Sequence, residues 1–195
     1  MTGILLITGG SRGIGAATAR LAAQKGYAIA INYRAAREEA EALVAAIEAD
    51  GGRAIAVQAD VAAQEQVEAM FRAVDGFGPL TALVNSAGIS LAARVADLEQ
   101  GALERLLAIN VIGTMLCCRE AVRRMSTRLG GQGGAIVNVS SMAATIGGRP
   151  GRVAYAASKG AVDSFTIGLA KEVAREGIRV NALRPGMTMT DMTDA

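Results

Sequence analysis

Short apolar runs alternate with longer amphipathic stretches from one end of the chain to the other. The runs at 4–8, 28–32, 54–58, 82–85, 135–139 and 179–183 are near-continuously apolar. A half-exposed strand would alternate, so this pattern predicts strands of a parallel sheet covered on both faces. Between them, apolar residues at helical spacing predict helices over 14–25, 37–50, 64–74, 98–129 and 155–175. Glycines stand at the breaks, among them Gly26, Gly51, Gly76, Gly130 and Gly177, where a helix commonly ends in a left-handed residue. Strand and helix in strict alternation require right-handed crossovers and give an α/β fold, a doubly wound parallel sheet with helices on both faces. With no linker and no internal repeat, residues 1–195 are expected to form one domain. Ligands of such a sheet bind outside the carboxyl ends of its strands, where the strand order reverses.

The first of those ends runs into Thr8-Gly9-Gly10-Ser11-Arg12-Gly13-Ile14-Gly15 and then a helix. Bare amides and the positive end of the helix dipole meet there, which favours a pyrophosphate. Gly9 permits the tight turn, Gly13 the close approach of phosphate, and Gly15 the packing of helix on strand. A glycine-rich turn with no ligand is the plain alternative. At the second strand end an NAD site places an acidic residue. Here the chain reads Asn32-Tyr33-Arg34, with Arg37 one turn on and no carboxylate before Glu38. With Arg12 nearby, these guanidiniums suit the 2′-phosphate of NADP(H), because the planar fork binds its oxygens in pairs. Solvated arginines at a helix start are the alternative.

Tyr155 and Lys159 are four apart on a predicted helix and share one face. A free tyrosine titrates near 10, and bringing it to about 7 requires about 4 kcal/mol of preference for the phenolate. One ammonium about 4 Å away supplies a comparable amount at an effective dielectric of about 20. The expectation is a phenol made acidic by Lys159, able to give a proton to a carbonyl oxygen and take it back. Ser140 and Ser141 follow the fifth strand, and either hydroxyl would serve a developing oxyanion or simply cap a turn. Asn110, inside an apolar run, needs partners if it is buried.

Composition removes several rival chemistries. Among 195 residues there is no histidine, which excludes Ser-His-Asp and Cys-His catalysis and imidazole-based zinc sites. The only cysteines, Cys117 and Cys118, are neighbours, which points to a reducing compartment. A net charge of +2 gives no drive toward nucleic acid or anionic membrane. The start of the chain lacks a basic n-region, and the long apolar stretches are interrupted, so a soluble cytoplasmic protein is expected.

These residues, in this order, resemble the short-chain dehydrogenase/reductase family, and the match runs along the whole chain. Thr8-Gly9-x-x-x-Gly13-x-Gly15 is similar to its cofactor motif, Asp60-Val61 to the pair that meets the adenine, and Asn85-Ser86-Ala87-Gly88 to its Asn-Asn-Ala-Gly. Asn110, Ser140-Ser141, Tyr155-Ala156-Ala157-Ser158-Lys159 and Pro185-Gly186 complete the series. The resemblance is strongest to NADPH-dependent 3-oxoacyl-carrier reductases and related sugar or alcohol dehydrogenases. It implies a Rossmann-like strand order 3-2-1-4-5-6, with NADP(H) held by Gly9, Ser11, Arg12, Gly13, Ile14, Gly15, Asn32, Tyr33, Arg34, Asp60, Val61, Asn85, Ala87, Gly88, Tyr155, Lys159, Pro185, Gly186 and Thr188. Catalysis would fall to Asn110, Ser141, Tyr155 and Lys159. Ser141 would hold the substrate oxygen, Lys159 the nicotinamide ribose, and Asn110 a water relaying protons. The implied partner is a small carbonyl or alcohol substrate, and the implied assembly a homo-oligomer, dimer or tetramer, joined through helices 98–129 and 155–175. A catalytically inactive or truncated dinucleotide-binding module is the alternative reading.

Two departures from the family pattern stand out. The loop from Met142 to Ala154 reads one residue longer than usual, which bears on the choice between the serines. The sequence also stops at Thr190-Asp191-Met192-Thr193-Asp194-Ala195, where the family continues into a substrate-covering loop and helix, a seventh strand and a closing helix. An omitted tail is the expectation favoured here, and without that tail the sixth strand would be a bare apolar edge. The remaining pocket wall, Ser90, Leu91, Ala92, Ala143 and Met187, suggests a modest, partly apolar substrate.

Overall fold

Every strand lies close to where the apolar runs place it. The computed structural model describes residues 2–190, and the expected end of the chain beyond Thr190 lies outside them. Six strands, β1 (Thr2–Thr8), β2 (Tyr27–Tyr33), β3 (Ala54–Gln58), β4 (Leu80–Asn85), β5 (Gly134–Val139) and β6 (Ile178–Leu183), form one sheet. All neighbours pair in parallel, in the order β3-β2-β1-β4-β5-β6. This is the doubly wound arrangement, and its order reverses between β1 and β4.

Alternate residues of each strand feed opposite layers. In β1, Ile4 and Leu6 enter one core while Leu5 and Ile7 enter the other. The second core is closed by α1 (Gly13–Gln24) and α2 (Arg37–Ala49) through Ala19, Ala40, Leu43 and Ile47. The first holds α3 (Gln64–Phe77), α5 (Thr114–Met125) and α7 (Val153–Glu172), with Phe71, Met70, Cys117, Cys118, Met125 and Leu169 inside it. Burial pushes both thiols up, Cys118 to about 12, so they act as small apolar groups.

The long helix expected over 98–129 is instead a broken series. A short 3-10 turn (Val95–Asp97) precedes α4 (Gln100–Leu107), a π-helical segment (Ala108–Gly113) joins α4 to α5, and a second 3-10 turn (Thr127–Leu129) follows. The wide turn has a cause in packing. Asn110 is fully buried and bonded to the loop after β4, and a Cβ on Gly113 would stand 2.9 Å from Val61. The helix must therefore absorb an extra residue to meet both neighbours. By length and composition, Gln100–Met125 would suffice to cross a membrane, with a mean hydropathy of 1.4 in its most apolar window. It packs, however, on α3, α7, β4 and β5, and it buries Thr114 and Glu120 as well as Asn110.

Smaller differences have local reasons. The third helix runs on through Gly76 to Phe77 and stops at Gly78, whose φ of +147° is open to glycine alone. The last begins at Val153 and ends at Glu172. A four-residue helix, α6 (Ala143–Ile146), takes up part of the loop after β5. Among the described residues β6 pairs only with β5.

Candidate active site

All six strand ends line one cleft of about 380 Å³ at the switch point. The glycine loop forms one end of it. Gly9 has φ +62°, and a Cβ there would lie 2.8 Å from Ala87, so the loop rests directly on the backbone after β4. Gly13, at φ +53°, faces the cleft with Ser11, Arg12 and Ile14. Gly15 lies off the cleft, where a Cβ would come within 2.5 Å of the Gly9 carbonyl, as its helix-packing role requires. Thr8 fastens the base of the loop: its hydroxyl accepts from the Ala87 amide at 3.2 Å and its carbonyl from the Ser86 amide at 3.2 Å.

Asn32 also braces this loop. Its Oδ1 accepts from the Gly9 amide at 3.2 Å, and its Nδ2 donates to the carbonyls of Tyr33, Val57 and Ala59. Beyond it, Tyr33, Arg34, Ala35 and Ala36 line the wall, and no carboxylate joins them from β2. Arg37, expected beside Arg34, is an exposed helix residue paired with Glu41 at 3.2 Å, outside the cleft. Of the expected guanidiniums, Arg12 and Arg34 remain there.

Asp60 and Val61 follow β3 into the cleft. Burial works against the Asp60 carboxylate, but the Ala62 amide and the Arg105 guanidinium at 2.6 Å outweigh it and hold its pKa below the ordinary value. Asn85, expected to hold the cofactor, lies buried and is not among the residues that line the cleft. Its Nδ2 donates to Asn138 Oδ1 at 2.9 Å and to Cys118 Sγ at 3.2 Å, and Asn138 in turn donates to Thr166. That buried amide chain ties β4, β5 and α7 together. Ser86, Ala87 and Gly88 carry the strand end into the cleft.

At the opposite end stand Ser141, Tyr155 and Lys159. The two serines part company here. Ser140 is buried and bonds the Lys159 carbonyl at 3.2 Å, a tie between β5 and α7. Ser141 accepts from the Ala143 amide at 3.1 Å and lines the cleft with Tyr155, where its hydroxyl works to lower the phenol's pKa. The longer loop is taken up in part by α6 and turns through glycines at positive φ, Gly147, Gly148 and Gly151.

The Tyr155 phenol departs from expectation. Burial raises its pKa above the ordinary 10, and the Ser141 hydroxyl and the Arg152 charge offset this only in part. Lys159 Nζ lies 5.8 Å from the Tyr155 ring centroid and donates to the Val139 carbonyl at 2.7 Å. Burial pushes the Lys159 ammonium itself down to about 8, with Asp163 opposing. The Val139 carbonyl takes one of the three donors of the ammonium, a competitor for the phenol that the four-residue spacing does not reveal.

Asn110 lies under this end and off the cleft. Its Oδ1 accepts from the Ile89 amide at 2.9 Å, and its Nδ2 donates to the Ile89 carbonyl and to Ser158 Oγ, both at 3.0 Å. Ser158 Oγ passes the bond on to the Tyr155 carbonyl at 2.7 Å. The chain Ile89–Asn110–Ser158–Tyr155 thus fixes the loop after β4 against the helix that carries the phenol.

Over residues 3–195 the sequence matches the family described as short chain dehydrogenase. The chain belongs to that family. This short chain dehydrogenase is 52% identical over 191 residues to the uncharacterized oxidoreductase YgfF of Escherichia coli, covering 97% of this chain and 77% of that one. It is 40% identical over 196 residues to the 3-oxoacyl-(acyl-carrier-protein) reductase FabG of Staphylococcus aureus, covering 100% and 78%. Among solved structures, a short chain dehydrogenase from Burkholderia cenocepacia in complex with NADP superposes at TM-score 0.91 and 43% identity, over 97% of this chain and 76% of that one. A gluconate 5-dehydrogenase from the same species, in complex with NADP and tartrate, superposes at TM-score 0.90 and 35% identity, over 98% and 73%. The dehydrogenase is accordingly an oxidoreductase of the hydride-transferring kind.

Of the expected site residues, Gly9, Ser11, Arg12, Gly13, Ile14, Asn32, Tyr33, Arg34, Asp60, Val61, Ala87, Gly88, Ser141, Tyr155, Lys159, Pro185, Gly186 and Thr188 share the cleft, while Gly15, Asn85 and Asn110 support it from outside. Sequence reasoning missed Ile89, Ile109 and Val139 in its lining, apolar residues with no signal beyond proximity to a motif. Met187, expected in the substrate wall, is exposed.

Proposed function

We propose that this dehydrogenase interconverts a ketone and a secondary alcohol with NADP(H), using Tyr155 as general acid and base. The observation that carries the reading is that Ser141, Tyr155 and Lys159 stand together at one end of a cleft whose other end is the glycine loop before a helix. The cleft fits a dinucleotide. Its glycines take backbone conformations and approaches that a side chain would block, and Arg12 and Arg34 with no β2 carboxylate suit a 2′-phosphate. When bound, NADPH supplies the hydride.

The chain's own residues do the rest. Tyr155 Oη donates a proton to the carbonyl oxygen, and the Ser141 hydroxyl donates a hydrogen bond where negative charge develops. Burial raises the phenol's pKa and so keeps the proton on Tyr155 for delivery to the carbonyl oxygen. Lys159, charged below about pH 8, fixes the local field and offers a donor to the nicotinamide ribose. Asn110 and Ser158 keep the phenol's helix in register with the loop after β4. We further propose a homo-oligomer, because Leu107, Ile112, Met115 and Ile167 are exposed on the helices the family resemblance assigns to self-contact.

The test is NADPH absorbance against a panel of small ketones and 3-oxoacyl thioesters, with NADH as control. Tyr155→Phe is expected to lose turnover by about 10²-fold to 10⁴-fold while NADPH affinity, read by fluorescence, stays within about twofold. Wild-type turnover in the variant overturns the acid/base role. NADPH binding without turnover by the wild type favours the inactive module, and preference for NADH overturns the arginine argument.

A further inference from the structure

Four arginines of the described residues are partly covered by protein: Arg105, Arg119, Arg124 and Arg152. Three of them hold a carboxylate, Arg105 that of Asp60, Arg119 that of Glu68, and Arg124 those of Asp75 and Glu120. Arg152 has no carboxylate within ion-pair distance among the described residues. Its Nη1 donates to the neutral Ser90 hydroxyl at 2.6 Å. A guanidinium carries five donors and no acceptor, so one neutral partner leaves most of its capacity and all of its charge unmatched.

Its position gives that surplus a use. Arg152 precedes Tyr155 by three residues, and its charge acts on the phenol. The Ala93 amide donates to the Gly151 carbonyl at 2.9 Å, beside the Arg152–Ser90 bond, so the loops after β4 and β5 close on each other at this seam. Arg152 is not part of the nucleotide cleft, which ends at Ser141 and Tyr155. A cation three residues before Tyr155, held by Ser90 and off the nucleotide cleft, is available to whatever else binds at that end.

We propose that Arg152 selects substrates carrying an anionic oxygen group, a carboxylate or a phosphate, with Ser90 holding the guanidinium in place. The proposal rests on the reading of Tyr155 as the carbonyl-reducing end of the site. It makes the substrate a small oxo acid or phosphorylated ketone, or the corresponding hydroxy compound.

Turnover with NADPH is compared for 4-oxopentanoate against its methyl ester, and for dihydroxyacetone phosphate against dihydroxyacetone. The wild type is expected to favour one charged member in kcat/KM, and the favoured pair identifies carboxylate or phosphate. Arg152→Ala lowers that charged-to-neutral ratio by about 10-fold to 100-fold, mainly through KM. Arg152→Lys retains part of it, and Ser90→Ala, which disturbs less, lowers it by a few-fold. A wild type indifferent to charge, or a ratio that Arg152→Ala leaves unchanged, overturns the proposal. Calorimetric titration of NADP⁺-saturated protein with succinate and with inorganic phosphate separates it from the reductase reading. If no ketone is turned over, anion binding that Arg152→Ala abolishes sustains the anion site while the reductase reading falls. Equal binding by both proteins, or none, ends the proposal as well.

Discussion

A phenol can donate a proton only while it holds one, and the half-buried setting of Tyr155 favours the protonated form. Its environment raises the pKa above 10. The difference in phenolate absorbance between wild type and Tyr155→Phe, titrated without nucleotide, is expected to have its midpoint above pH 10, and a midpoint below pH 9 contradicts this. Lys159 carries the opposite cost. Its pKa of about 8 lies below the 10.5 of an unfolded lysine, so between those values the unfolded chain binds the extra proton and stability rises with pH. Below about pH 8 the full penalty stays. The stability gap between wild type and Lys159→Met, from urea unfolding, is therefore expected to move by about 2 kcal/mol in favour of wild type between pH 7 and pH 10. At this scale residue types and spacing, and hence the pair, are legible in the sequence. The sequence does not show the Val139 carbonyl that accepts from the ammonium, or the Lys159 carbonyl that accepts from Ser140.

Between helices, the informative feature is the π-helical segment at Ala108–Gly113. Apolar periodicity reads straight through it, because the cause lies elsewhere in the chain: Ile89 is 21 residues away from Asn110 and Ser158 is 48. Asn110→Leu removes one amide and strands the Ile89 amide and carbonyl. The variant is expected to lose about 1–3 kcal/mol of stability and to lower kcat as the phenol's helix loosens. Its pH–rate profile separates two roles. An unchanged profile assigns positioning alone, and a shifted one adds the proton relay that the family resemblance implies. Strand positions, in contrast, were legible almost to the residue, since a strand covered on both faces leaves an unbroken apolar run.

For the whole molecule, the exposed apolar side chains Leu107, Ile112, Met115 and Ile167 point to a second copy. Light scattering is expected to give a multiple of the 19.9 kDa chain mass, and Ile112→Asp to shift it downward, whereas a wild type monomeric at micromolar concentration removes the assembly proposal. The sequence by itself determined the layered α/β fold and the order of its motifs, because burial on two faces and residue type are both written locally. Only the tertiary structure decided which members of those motifs meet. Asn85 is drawn into the amide chain beneath the cleft, Arg37 is left on the surface with Glu41, and Arg152 is set beside Tyr155 against Ser90, 62 residues away. Such choices depend on which distant groups satisfy one another once water is excluded, and no single stretch of chain carries that information.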